Sequence, residues 1–403
     1  MSAYDPYSDE VLDDPHPVYA RLREESPALY LEQYGAWFLS RFDYVWEGLQ
    51  RKELSVAQGI SPSQLLLGAP AGPLMPSQMD PPRHTSVRKL LSDSSFRPRQ
   101  VQNLEDDVRR RSTELLSALD PVAGFDAVRD YAAPLAMGTA ALICGFPEAD
   151  TPTFINWVNQ FFHRRPGQKG ETERAAQAGG ELYGYVTAHL AEVRAHPEAM
   201  SALTRVLLTT PVDGEVMTED GVVSTLVNML IAAADTFPKV FGACLVALHD
   251  HPEDRRSVVA QPGLGLDAFH EALRLDTPTQ FQGRTVTEAF EIDGHKFEPG
   301  QKVCFLFASA NRDPREFDHP DRFDLTRRPT RMVGFGHGTH VCLGMHLARM
   351  EARVTVDEFL ARFPAYQIDT GRADYARTEY VRGWLRLPVT AEPARRRPPA
   401  QGD

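Results

Sequence analysis

The chain has 403 residues, 42% hydrophobic and 24% charged, the make-up of a globular protein able to bury a large core. A formal net charge of -12 argues against a nucleic-acid backbone as main partner, and four widely spaced cysteines (Cys144, Cys244, Cys304, Cys342) suit a reducing cytoplasm better than a disulfide framework. No basic stretch leads into an apolar core at the start, and no uncharged run of about 18 apolar residues occurs, so neither a secretory signal nor a membrane span is expected.

In chain order, Asp5 to Pro17 reads as an extended lead-in rich in Asp, Pro and Tyr, and Val18 to Glu25 as a first helix. Tyr30 to Ser40 alternates apolar and polar residues and predicts strands. Gly59 to Pro82 is a long Gly/Pro/Ser-rich loop whose leucines and methionine favour a functional role. From Arg83 to Leu248 apolar residues recur three and four apart, the spacing of helices, broken at Asp120-Pro121, Phe146-Pro147 and His196-Pro197. Within it, Pro166 to Ala178 is polar and reads as a mobile stretch. The period switches to two between Pro278 and Phe307, and a helix is predicted from Gly344 to Phe363. The Arg- and Pro-rich tail, 395–403, reads as disordered. No linker separates two cores, so one domain over 1–394 is expected.

The segment richest in chemistry is Phe335-Gly336-His337-Gly338-Thr339-His340-Val341-Cys342-Leu343-Gly344. Its glycines allow tight turns and close approach to a flat ligand. Cys342 stands where the following helix begins, and a helix N-terminus favours thiolate over thiol. Such a sulfur can ligate iron and push electron density onto it. This segment resembles the haem-binding loop of the cytochrome P450 family, and the likeness runs from Asp5 to about Thr390. The resemblance implies a mainly α fold with a smaller β-rich part. It implies haem b (iron protoporphyrin IX) between the long central helix and the cysteine-loop helix, with Cys342 as iron ligand and Phe335, Gly336 and Gly344 against the cofactor.

Further motifs carry the same resemblance. Glu271-Ala272-Leu273-Arg274 is similar to the family's structural Glu-x-x-Arg pair, the two side chains sharing one helix face, and Arg322 is expected as its third member. Met79-Asp80-Pro81-Pro82-Arg83-His84-Thr85-Ser86-Val87-Arg88 resembles the segment that meets the haem propionates. His84 and Arg88, four apart, are expected there with Arg284 and His340, the last standing where the family commonly has Arg. Ala232-Ala233-Ala234-Asp235-Thr236 resembles the oxygen-activating stretch of the central helix, with Ala232 beside the cofactor. Asp235 and Thr236 then form a proton relay to dioxygen. The bland alternative has Asp235 capping a kink made by Pro238. Ala233 replaces the usual Gly, which narrows the oxygen groove.

The family's substrate pocket maps onto Leu74, Met75, Asn228, Ala232, Thr279, Gln280, Phe281 and Trp384. These residues fit a mid-sized, mainly hydrophobic small molecule. The basic residues Arg88, Lys89, Arg97, Arg99 and Arg109-Arg110-Arg111 read either as a docking face for an acidic ferredoxin or as a solvated helix face. No flavin or iron–sulfur pattern accompanies the cysteine loop, so electrons are expected from ferredoxin and ferredoxin reductase. The expected activity is insertion of one oxygen atom of O2, as hydroxylation, epoxidation or O-demethylation. A peroxide-driven oxygenase and a non-catalytic haem-binding sensor or recruitment protein stand as alternatives.

Overall fold

The computed structural model describes residues 4–70, 75–165 and 167–392. The tail at 395–403 and Leu74 lie outside the described residues. The helices used below are α1 (Pro15–Glu25), α2 (Arg83–Leu91), α3 (Glu105–Ala118), α4 (Ala133–Cys144), α5 (Thr151–Phe161), α6 (Glu173–Ala195), α7 (Glu219–Asp250), α8 (Leu264–Leu275) and α9 (Met345–Arg362). The strands used below are β1 (Ala28–Leu31), β2 (Ala36–Leu39), β3 (Leu54–Ser55), β4 (Phe281–Val286), β5 (Lys302–Leu306), β6 (Asp374–Arg377) and β7 (Arg382–Arg386).

Helix α7 organises the molecule. The Thr218 hydroxyl caps it by accepting the Gly221 N–H at 3.2 Å, and Glu219 and Asp220 complement the positive helix N-terminus. Its apolar residues face α4, α5, α6 and α8, and β7 packs along it. This helix is long and apolar enough to cross a membrane, yet 67% of its apolar window is buried inside the fold. A helix apolar on most sides is what the centre of a large helical core requires. Pro238 sits inside it without ending it. Helix α9, which follows the cysteine loop, packs on α3 and α8.

The β-rich part is a five-stranded sheet in the order β1-β2-β5-β4-β3. The β2/β5 pair is parallel, and the other neighbours run antiparallel. The hairpin β6–β7 is separate from it. Strand β4 carries Arg284, and the turn between β6 and β7 carries Tyr380, so the sheet and the hairpin each deliver a polar side chain toward the region beside α7.

Three segments differ from the sequence expectation. The lead-in is not extended: Ser8 caps a short helix, Asp9–Asp13, and Asp14 caps α1, which starts at Pro15. A capping side chain followed by proline at the first helical position is a helix start. The Gly59–Pro82 loop contains a helix, Pro62–Leu67, closed by a capping box between Ser61 and Gln64. The polar 166–178 stretch ends within α6, whose cap is Thr172.

Candidate functional site

The cysteine loop is a tight turn held by its own backbone. The Cys342 N–H donates to the Phe335 carbonyl at 2.8 Å, and the Val341 N–H to the Gly338 carbonyl at 3.1 Å. Gly336 and Gly338 have φ of +69° and +68°, and a Cβ on Gly338 would lie 2.4 Å from the Leu49 carbonyl oxygen. Both conformation and space therefore demand glycine at 338. The Cys342 side chain is solvent-accessible. Burial pushes its thiol up. The N–H groups of Gly344 and Met345 and the Arg88 guanidinium pull the other way without overcoming that burial. In the chain alone, desolvation thus outweighs the expected helix-terminus effect, and metal coordination is what would fix the thiolate.

Beside this loop stand four basic groups. The His84 and His340 rings lie 4.1 Å apart, centroid to centroid. His84 is buried, and its Nδ1 has no hydrogen-bond partner. Arg284 is also buried and donates Nη1 to the Gly283 carbonyl at 2.8 Å. Burial pushes the Arg284 guanidinium down to about 10. Burial, joined by the charges of Arg284, His84 and Arg88, pushes His340 down to about 3. Among the described residues no carboxylate lies within 4.0 Å of Arg88 or Arg284. Asp80, the acid within electrostatic reach of His84 and Arg284, is occupied by Ser55 and the Val56 N–H. A cluster of mutually repelling bases with an orphaned ring nitrogen lacks anionic partners. Two carboxylates supplied by a flat ligand over Cys342 meet that need, so these residues fit haem. Arg284→Ala is expected to speed haem loss to a haem-free acceptor protein by about tenfold, since a charged hydrogen bond contributes roughly 1.5–3 kcal/mol.

On α7, Ala232 is exposed and Asn228, Met229, Ile231, Ala233 and Thr236 are half-buried, although most of this helix is core. The Thr236 hydroxyl donates to the Ala232 carbonyl at 3.2 Å. Asp235 is buried; its Oδ1 pairs with Lys239 and its Oδ2 has no partner. Asp235 therefore does not cap a kink. Its partner is a lysine one helical turn on, a residue the sequence reading missed although the i, i+4 spacing announces it.

The Glu271–Arg274 network forms as expected, except for its third member. Arg274 donates Nε and Nη2 to the Glu271 carboxylate at 2.9 and 2.7 Å and is fully buried. Arg327 supplies the other cation, Nε to Glu271 Oε1 at 2.9 Å. The Arg322 side chain is exposed, and that residue contributes only its backbone carbonyl, to Arg274 Nη2 at 3.2 Å. The chain after Pro320 curls so that residue 327, not 322, returns to Glu271.

Several pocket expectations are also corrected. Phe281 is 1% exposed and packs on Phe38, on the core side of β4. Gln280 is buried, its amide donating to the Thr277 carbonyl at 2.8 Å. Trp384 packs over Gly242 and edge-on to Tyr375, well past Thr236 along α7. Met75, Asn228 and Thr279 remain half-buried and available. Tyr380, at the start of the pocket-wall stretch that the resemblance places at Tyr380 to Leu385, is half-buried and lies within electrostatic reach of Asp235 and Arg284. The basic run is largely self-neutralised: Lys89 and Arg97 pair with Asp93, Arg109 with Glu105 and Glu358, Arg110 with Glu114, and the buried Arg111 with Glu148.

Comparison with known proteins bears on the whole arrangement. Residues 266–373, which hold the Glu271–Arg274 pair and Cys342, match the family model described as cytochrome P450. The chain is 32% identical over 391 residues to the putative cytochrome P450 123 of Mycobacterium tuberculosis, covering 96% of both chains. It is 32% identical over 397 residues to the vitamin D(3) 25-hydroxylase of Pseudonocardia autotrophica, covering 97% of each. Its fold superposes on a mutant of P450 EryK in complex with erythromycin B with a TM-score of 0.84, at 29% identity, over 96% of this chain and 98% of that one. A solvent-accessible cysteine after glycine turns, four bases short of anions and an acid–hydroxyl pair on the central helix therefore have one shared explanation: the chain belongs to the cytochrome P450 family, haem b-binding monooxygenases.

Proposed function

We propose that this monooxygenase hydroxylates a mid-sized to large, mainly hydrophobic molecule, with electrons from a ferredoxin and its reductase. The observation that carries this is the adjacent Asp235–Thr236 pair on α7, the acid buried and the hydroxyl half-buried. An acid and a hydroxyl in an apolar helix, one with an unmet oxygen, suit proton delivery. Haem held by Cys342 supplies the iron that activates dioxygen. His84, Arg88, Arg284 and His340 hold its carboxylates. Thr236 holds a hydroxyl proton at Oγ1, parked on the Ala232 carbonyl, and Asp235 restores that proton from solvent. Substrate rests against the apolar wall of Ala232, Ala233 and Met75, with Asn228 and Tyr380 as polar contacts. Overall, one C–H bond becomes C–OH and the second oxygen atom leaves as water. Two electrons from the partner protein and two protons from solvent complete the balance.

The substrate class draws support from the relatives, one named for hydroxylating vitamin D(3) and one bound to erythromycin B. Both compounds are bulky and largely apolar. Epoxidation and O-demethylation use the same residues on a different substrate bond. The test is turnover of a panel of sterols, macrolides and terpenes under 18O2 with ferredoxin, reductase and NADH. A product with one labelled oxygen is expected. Turnover with hydrogen peroxide alone, or no spin-state response to any compound, contradicts the reading and favours the peroxide-driven or non-catalytic alternative.

A further inference from the structure

Lys239 is the one buried lysine among the described residues, 4% exposed. Its ammonium bonds Asp235 twice, to the backbone carbonyl at 3.1 Å and to Oδ1. The second carboxylate oxygen, Oδ2, is buried and has no partner. Room for the lysine stem comes from Gly383 in β7, with φ +136°: a Cβ there would lie 2.6 Å from Lys239 Cβ and 2.9 Å from Cδ. Pro238, just before, has no N–H to give the preceding turn, and the Lys239 ammonium bonds a carbonyl of that turn.

A buried ion pair is weak evidence of a stabilising role, because packed apolar residues would serve as well. A purely structural pair would also be expected to satisfy both carboxylate oxygens, since an unmet buried acceptor is unfavourable. Here one oxygen is clamped and the other left open, one residue from Thr236. The geometry points to Lys239 as a positioning residue of the proton relay: it fixes Oδ1 of Asp235 and leaves Oδ2, on the residue before Thr236, free to take up a proton. This rests on the monooxygenase reading. A hydronium O–H bond in solvent breaks as its proton joins Oδ2, leaving water; that Oδ2–H bond breaks as the proton joins Thr236 Oγ1, whose own O–H bond breaks as its proton passes to dioxygen taking up the partner protein's electrons.

Carbon monoxide on the reduced holoenzyme is the probe, because its C–O stretch senses polar groups beside Thr236 whatever the substrate. Lys239→Met is expected to keep the thiolate-type absorption band, to shift and broaden the C–O stretch, and to divert NADH electrons to hydrogen peroxide with about a tenfold loss of coupled turnover. Lys239→Arg recovers the narrow stretch. In an Asp235→Asn background the further change Lys239→Met alters neither readout, because Lys239 acts through Asp235. A native stretch in Lys239→Met, or an equal shift in both backgrounds, overturns the proposal. If the single variant does not fold, Asp235→Asn/Lys239→Met, which carries no unpaired buried charge, is compared with Asp235→Asn. Matching spectra support the proposal and differing spectra overturn it. Absence of the thiolate-type band from the native protein instead defeats the monooxygenase reading itself.

Discussion

Arg274→Ala is expected to abolish accumulation of folded, haem-loaded protein. Arg274 is 0% exposed and Glu271 1% exposed. The guanidinium also satisfies the carbonyls of Asn311 at 2.9 Å and Pro320 at 2.7 Å, tying α8 to the segment that leads into the cysteine loop. Breaking a buried pair costs about 3–5 kcal/mol, and each orphaned carbonyl adds roughly 1–3 kcal/mol. Total stability of a domain is about 5–15 kcal/mol, so the loss is comparable to the whole. Arg327→Ala, which leaves Arg274 on Glu271, should cost less, and Arg322→Ala, on an exposed side chain, close to nothing. Thermal midpoint and haem-to-protein absorbance ratio read all three. A midpoint in Arg274→Ala within a few degrees of native would contradict the assignment of this network as the lock behind the cysteine loop.

Thr236→Ala is expected to leave haem content, the carbon monoxide band and substrate affinity near native while product formation falls about a hundredfold, the lower end of what a positioned acid contributes. Electrons still flow, so NADH oxidation continues and hydrogen peroxide replaces product. The hydroxyl donates to the Ala232 carbonyl, within its own helix turn, and its loss leaves the fold intact. Product yield per NADH is the measurement. An unchanged yield would remove Thr236 from the relay.

Much of this site was legible in the sequence because local rules decide it. The glycines at 336 and 338 announce left-handed turns, and the structure places both there. The Glu271–Arg274 spacing puts two side chains on one helix face, and they meet. The misses have physical causes. Arg322 and Arg327 sit in an irregular stretch with no periodicity to rank them, so the return of the chain to Glu271 is a tertiary fact. Phe281 and Gln282 alternate across β4, and the period of two sends Phe281 into the core and leaves Gln282 toward Tyr380. The basic run looked free because its acids were not counted: Glu105/Arg109 and Arg110/Glu114 are i, i+4 pairs. The lead-in helices hid behind Asp and Pro, residues that start helices as readily as they break them.

Everything above turns on Cys342 holding the haem iron as a thiolate. Dithionite-reduced, purified protein is exposed to carbon monoxide, and its absorption spectrum is taken for the native chain and for Cys342→Ala. A strongly red-shifted Soret band is expected in the native protein and is lost in the variant. A folded native protein that takes up no haem, or that shows only the band of histidine-ligated haem, would contradict it.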